Sequence, residues 1–400
     1  MNMKLLGLII LLVGLFVYAP PAMAEAAQES ELQMQSVHSD DDILCLPGIY
    51  RHDMGNCSVA GPAAYRTKMA EYGIDLPLSP LPITNPDFSL TYTNVYYGQV
   101  RTENAPVYPS IEAALKADRK QAVRRIDSPF SYISYTEDAV VEGKRFYMVE
   151  PGGWMTANDV IRIGSVPLFQ GITFTRTPNH SLGWVLSYLS NGPVETKATP
   201  GNQIEDYTGH IFQNREIIPV FAETTVGDSA WYMVGPDEWL PENVVARVIP
   251  NTKPPEGVTG NRWMEINLYE QTIAVYDDSE LVFATLIASG LDPFWTRPGL
   301  FQIFERHDST PMRGSFEVDR SDAYYLEDVP WTMYFDQARA LHGAYWRANL
   351  GFPQSHGCVN LSVGDSRWLY DWAEIGDWVY VWDPSGQTPV EEDQYTPGGA

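Results

Sequence analysis

Cysteine is scarce in this chain: three among 400 residues, Cys45, Cys57 and Cys358. None follows the N-terminal cleavage-like site directly, which argues against lipoprotein processing, and no C-x-x-C pair is present to build a common zinc site. Positive charge is short as well, with 26 Lys and Arg against 51 Asp and Glu. A net charge of −25 does not supply the cationic surface that binds nucleic acid by counterion release, nor one that adheres to anionic lipid or wall polymers. Long apolar runs are missing too. The longest, Leu5–Tyr18, is too short and wrongly flanked for a spanning helix.

What is present starts with that run. One lysine precedes it and Ala22-Met23-Ala24 follows, the layout of a signal peptide over residues 1–24, with an uncleaved anchor as the alternative. The mature chain is then exported. At 44% hydrophobic and 12% aromatic residues it can bury sizeable cores, and its length suggests two to four units. Residues 25–91 read as a flexible N-terminal segment, with a short helical candidate at "AAYRTKMAEYG". A repeat follows: "FYMVEPGGWMTANDV" (146–160) aligns without gaps to "WYMVGPDEWLPENVV" (231–245), identical at seven of fifteen positions. Its apolar alternation, turn and Trp-led segment are strand–turn–strand chemistry. Two small β-barrels of SH3-like character are expected, over 92–165 and 166–250, as wall-ligand binders or as spacers. The Pro/Gly-rich "PNTKPPEGVTG" marks a linker over 251–260. From 261 to 383 the chain reads as strands with one helix, capped by Ser362, whose apolar face is Trp368, Leu369, Trp372 and Ile375. Residues 384–400 read as a disordered tail.

Outside the cytoplasm paired cysteines oxidise. Cys45 and Cys57, twelve apart, are read as a disulfide, which leaves Cys358 odd. It lies in "SHGCVN", with His356 two residues before it and His342 sixteen residues upstream in "ALHGAYW". A thiol needs a base to take its proton or a cation to hold the thiolate. Either histidine is a candidate, and Gly357 lets backbone N–H groups approach a reacting carbonyl. An inert buried cysteine, or a zinc site lacking a fourth ligand, are the competing readings.

The stretch "LHGAYWRANLGFPQSHGCVNLS" resembles the signature of the L,D-transpeptidase (YkuD-like) catalytic domain. The resemblance extends over about 260–383, including the "INLYEQTIAVYDDSELV" hairpin and "ASG" at 288–290. Two features depart from the family pattern. "TRPGLF" (296–301) carries its proline one place late, and the first loop is short. The resemblance implies a mainly β fold, a β-sandwich with one main helix. It implies Cys358 as nucleophile, His342 as general base oriented by the Gly343 carbonyl, and His356, Gly357 and Asn360 on the oxyanion and substrate side, with Ser355 supporting the loop. "DVPWTMYF" (328–335), Tyr345 and Trp346 stand as cleft or core. The implied activity is cleavage of a peptidoglycan stem tetrapeptide through a cysteine acyl-enzyme, with release of D-alanine and a 3→3 cross-link to a second stem, without cofactor or metal. Water or a protein amine as acceptor, a cysteine peptidase, and a non-catalytic wall-binding protein are the alternatives.

Overall fold

The computed structural model describes residues 62–391, apart from short stretches at 75–77, 79, 85, 127–129, 150–151, 191, 202–205 and 316–322, together with residue 395. The chain divides into two units, Met1–Ala64 and Tyr65–Ala400, and the fold below is that of the second. Cys45, Cys57 and the leader-like segment lie outside the described residues.

The chain is mainly β, as the sequence implies. Residues 261–383 form two facing sheets. One takes the order 280–286, 272–277, 263–267, 378–382, 299–302. Its first hairpin turns at Asp278 and Ser279, both at positive φ (49° and 61°), and pairs Asp277 with Glu280. That is the two-residue turn whose twist suits adjacent strands. The second sheet runs 359–361, 339–343, 324–336, with 305–314 also on the long strand. Between the sheets Ile266, Val275, Phe283, Met333, Leu341, Val359 and Val381 are buried together, each burial worth roughly 1.5–3 kcal/mol.

The helix Val363–Trp372 begins where expected, Ser362 accepting from Asp365 N at 3.1 Å. Leu369 is fully buried, and Trp368 stacks on Phe283 at 4.1 Å. The helix stops at Trp372, because Ala373 is extended. Ile375 therefore falls beyond it and is 66% exposed rather than on its buried face.

The repeated sequence folds twice in the same order. Copy 1 (Tyr96–Arg162) and copy 2 (Ser181–Val248) each carry a hairpin, a strand containing the repeated Trp, a 3-10 turn after it and a last strand that pairs back to the first. Copy 1 adds its strand Phe130–Val141 in parallel to the second sheet, Phe130–Tyr132 beside Tyr324–Leu326.

The helical candidate "AAYRTKMAEYG" is a helix over Pro62–Glu71. Other segments differ from the sequence reading. Within 25–91, Ile83–Thr84 pairs with Ile172–Phe174, which itself extends the first sheet beside Phe283 and Ala284. Leu81 and Ile83 pack on that core, so these residues are held by apolar contact. For the same reason 172–174 belongs to the first sheet and not to copy 2. The 251–260 linker is hydrogen-bonded to the segment after it: Asn251 N donates to Tyr276 Oη at 2.9 Å and Trp378 Nε1 to Thr259 O at 3.1 Å. In the tail, the Asp383 carboxylate accepts from Ser385 and Thr388, closing a turn.

Candidate active site

Cys358 stands one residue ahead of the strand Val359–Leu361, and His342 lies within Arg339–Gly343. The two strands run parallel, His342 opposite Asn360 and Gly343 opposite Leu361. Side chains alternate along a strand, so His342 and Asn360 share a face and Cys358, two before Asn360, returns to it. Register alone thus collects the thiol, the imidazole and the amide. The helix packs close behind because residue 343 is glycine: a Cβ there would lie 2.6 Å from Ser366 Oγ.

The motif is gripped from its other side by Ala288–Gly290. Ala288 and Asn360 exchange backbone hydrogen bonds of 2.9 and 3.0 Å, and Ser355 N donates to Ser289 O at 3.0 Å. The Ser355 hydroxyl donates to the Cys358 carbonyl at 2.5 Å and accepts from Gly357 N at 3.2 Å. Thr296 Oγ1 accepts from Gly290 N and donates to Gly357 O, both at 2.9 Å. Gly357 has φ 115°, and a Cβ on it would sit 3.1 Å from Arg339 Nε. The bend between His356 and Cys358 therefore requires glycine.

The reacting candidates are neutral. Cys358 is 8% exposed, and burial pushes its thiol up to about 11, against weaker opposite pulls from an Ala340 backbone hydrogen bond and the Arg339 charge. Its Sγ faces Ala338 O at 3.8 Å. Burial also brings the His342 imidazole down to about 4; the Gly343 carbonyl opposes this and the Arg347 charge adds to it. His342 Nδ1 faces Gly343 O at 3.3 Å, and Nε2 faces Asn360 Nδ2 at 3.5 Å. With Nδ1–H directed at the carbonyl, Nε2 carries the lone pair. A neutral thiol and a neutral imidazole on one strand face suit a general-base pair rather than a preformed thiolate.

The structure brings all the sequence-selected residues of the motif into one region but distributes them differently. The His356 ring stacks on Tyr324 (5.3 Å) and lies against Phe294 (4.7 Å). Gly357 N–H is directed at Ser355 Oγ and not at an open site, and Asn360, 2% exposed, faces His342 instead of a substrate surface. Tyr345, Val329, Met333 and Phe335 are core.

Other residues were not singled out by sequence. Thr296 was visible only as the start of "TRPGLF". Arg347 and Gln354 lie in the loop between the two His-Gly pairs, where Arg347 is the one cation. Tyr97 and Tyr132 come from copy 1 and join Cys358, Met312, Tyr324 and Val363 in one buried cluster. Tyr97 stacks on Tyr345 at 3.6 Å, and no local signal pairs residues so far apart in sequence. Among the described residues no group of three or more His, Cys, Asp or Glu side chains gathers as a metal site would.

The sequence model of the YkuD family, the L,D-transpeptidase catalytic domain, matches residues 261–381. YciB of Bacillus subtilis, named as a candidate L,D-transpeptidase, is 24% identical over 127 residues, 27% of this chain and 59% of its own length. Among solved structures, an L,D-transpeptidase from Stackebrandtia nassauensis is 25% identical, over 31% of this chain and 57% of that one, with a TM-score of 0.26. The catalytic domain of the Enterococcus faecium L,D-transpeptidase is 24% identical, over 32% of this chain and 100% of that one, with a TM-score of 0.28. The chain thus spans little more than half the length of the first two relatives. By its sequence, the segment 261–381 matches the L,D-transpeptidase catalytic domain of the YkuD family.

Proposed function

We propose that this chain is an exported L,D-transpeptidase that acts on peptidoglycan stem peptides through Cys358. The single observation that carries the reading is the shared strand face: an odd cysteine set by register beside a neutral histidine whose Nδ1 faces a backbone carbonyl. His342 Nε2 takes the thiol proton as Sγ forms a bond to the carbonyl carbon of the third stem residue. The C–N bond to D-alanine then breaks, and the proton leaves with the departing amine. In the second half an amine of another stem attacks the thioester, the C–S bond breaks, and Cys358 regains its proton. The product is a 3→3 cross-link. No cofactor or metal takes part in either half.

The two repeat copies are read as SH3-like modules, of which copy 1 also forms a wall of the catalytic cluster. Full-length protein incubated with disaccharide-tetrapeptide and followed by mass spectrometry tests the reaction. The expected products are free D-alanine and a cross-linked dimer. Tripeptide without dimer would make water the acceptor and the enzyme a carboxypeptidase. An unchanged tetrapeptide would remove the proposal.

A further inference from the structure

Position 360, two residues after the cysteine, is an asparagine whose amide has two chemically different ends. Which end faces His342 decides whether the imidazole nitrogen meets a donor or an acceptor. The side chain of Arg347 settles this. Its Nε donates to Asn360 Oδ1 at 2.7 Å, which turns Asn360 Nδ2 toward His342 Nε2. The rest of the guanidinium fork is spent on the segment before the motif: Nη1 donates to Gln354 Oε1 at 2.9 Å and Nη2 to Gln354 O at 2.6 Å. Gln354 N in turn donates to Ser289 O at 2.9 Å, beside the Ser355 contact that sets Cys358. One planar group thereby ties Asn360, opposite His342, to the segment that leads into the cysteine.

Resting on the acyl-transfer reading above, we propose that Arg347 is the positioning residue of the site: its guanidinium fixes the tautomer and aim of His342 through Asn360, and the position of Cys358 through Gln354. A lysine has the charge without the planar fork and cannot hold Asn360 and both Gln354 acceptors together. The charge matters as well, because Arg347 is the cation felt at His342 and helps keep it neutral. The groups facing this pair are the Asn360 amide, the Gly343 carbonyl and the Trp346 ring at 5.8 Å. From copy 1, the Tyr132 hydroxyl is the ionisable group felt at the guanidinium.

The test compares full-length wild type, Arg347→Ala, Arg347→Lys, Asn360→Ala and Arg347→Ala/Asn360→Ala. Ertapenem acylation is timed by intact mass against pH, well below each variant's Tm, and His342 is titrated by NMR. Arg347→Ala should lower the acylation rate by about tenfold or more, and the double variant should be no slower than the slower single one. The His342 pKa should rise in Arg347→Ala and stay low in Arg347→Lys, while the lysine variant remains slow. A native rate and native His342 titration in folded Arg347→Ala, or effects that simply add in the double variant, overturn the proposal. Should Arg347→Ala not fold, a native rate in Arg347→Lys does the same. The NMR titration reads Arg347 even if the wild type proves to transfer nothing, so failure of the enzymatic reading is told apart from failure of this one.

Discussion

The two copies of the repeat dock by the same device onto opposite parts of the catalytic domain. In copy 1, Arg124 reaches Glu327 at 2.9 Å, with the Tyr325 hydroxyl on the same carboxylate and Ser134 N donating to it at 3.0 Å. In copy 2, Arg247 reaches Glu270 at 3.1 Å, with the Tyr232 hydroxyl at 3.2 Å and Arg247 N at 2.9 Å. Both carboxyls sit above their ordinary range because burial outweighs the neighbouring guanidinium. Their surroundings differ. Glu327 lies on the strand next to His342's, and copy 1 continues from there into the cluster around Cys358. Glu270 lies in a turn of the other sheet, where copy 2 packs Leu182, Trp184 and Val248 against Trp263 and Tyr276. Copy 2 also braces the outside of the 348–352 loop through Tyr188 and Arg215. The repeated Trp154/Trp239 and Asn158/Asn243 occupy the same strand and 3-10 turn in each copy. The unrepeated ones decide where each copy sits, and so which copy touches the chemistry.

Arg124→Ala and Arg247→Ala separate the two roles most strongly. Each leaves a buried carboxylate without its cation, and each should cost about 3–5 kcal/mol in denaturant unfolding. Measured on the folded protein, only Arg124→Ala should slow acylation, by about tenfold or more, because copy 1 and not copy 2 places side chains in the buried cluster that holds Cys358. Equal slowing in both variants would mean that the loss is one of general stability.

His342→Ala sharpens the same point through pH. With His342 near 4 and Cys358 near 11, the imidazole is deprotonated and the thiol protonated across pH 6–9. Acylation of the wild type should then be flat over that window. The variant should be slower by roughly a hundredfold near neutrality, with a residual rate that climbs about tenfold per pH unit as thiolate accumulates. Arg124→Ala, by loosening the cover, should bring the Cys358 pKa down toward its ordinary value. A wild-type rate that climbs steeply from pH 6 to 9 would contradict the neutral pair.

Much of this was legible because it is local. The hairpin at Asp278-Ser279, the Ser362 cap, the repeat and the Ser355–Asn360 motif are each written within a few residues, where turn chemistry and periodicity act. Ile375 was misplaced because period alone does not say where a helix stops. Segments 81–84 and 172–174 read as loose or as module because short strands at a sheet edge carry little pattern of their own. Arg347, Thr296 and Tyr97 act through partners that only the folded chain brings near. In isolation their residue types are as ordinary as those of their neighbours.

The central claim is that Cys358 is the nucleophile. Ertapenem, a carbapenem whose strained β-lactam amide an activated thiol opens to a thioester, is the probe. Wild type and Cys358→Ala, both shown folded by near-UV circular dichroism, are incubated with ertapenem and their intact masses recorded, followed by peptide mapping. The account predicts one covalent adduct on the wild type, mapped to the peptide containing Cys358, and none on the variant. An undiminished adduct on Cys358→Ala would contradict it.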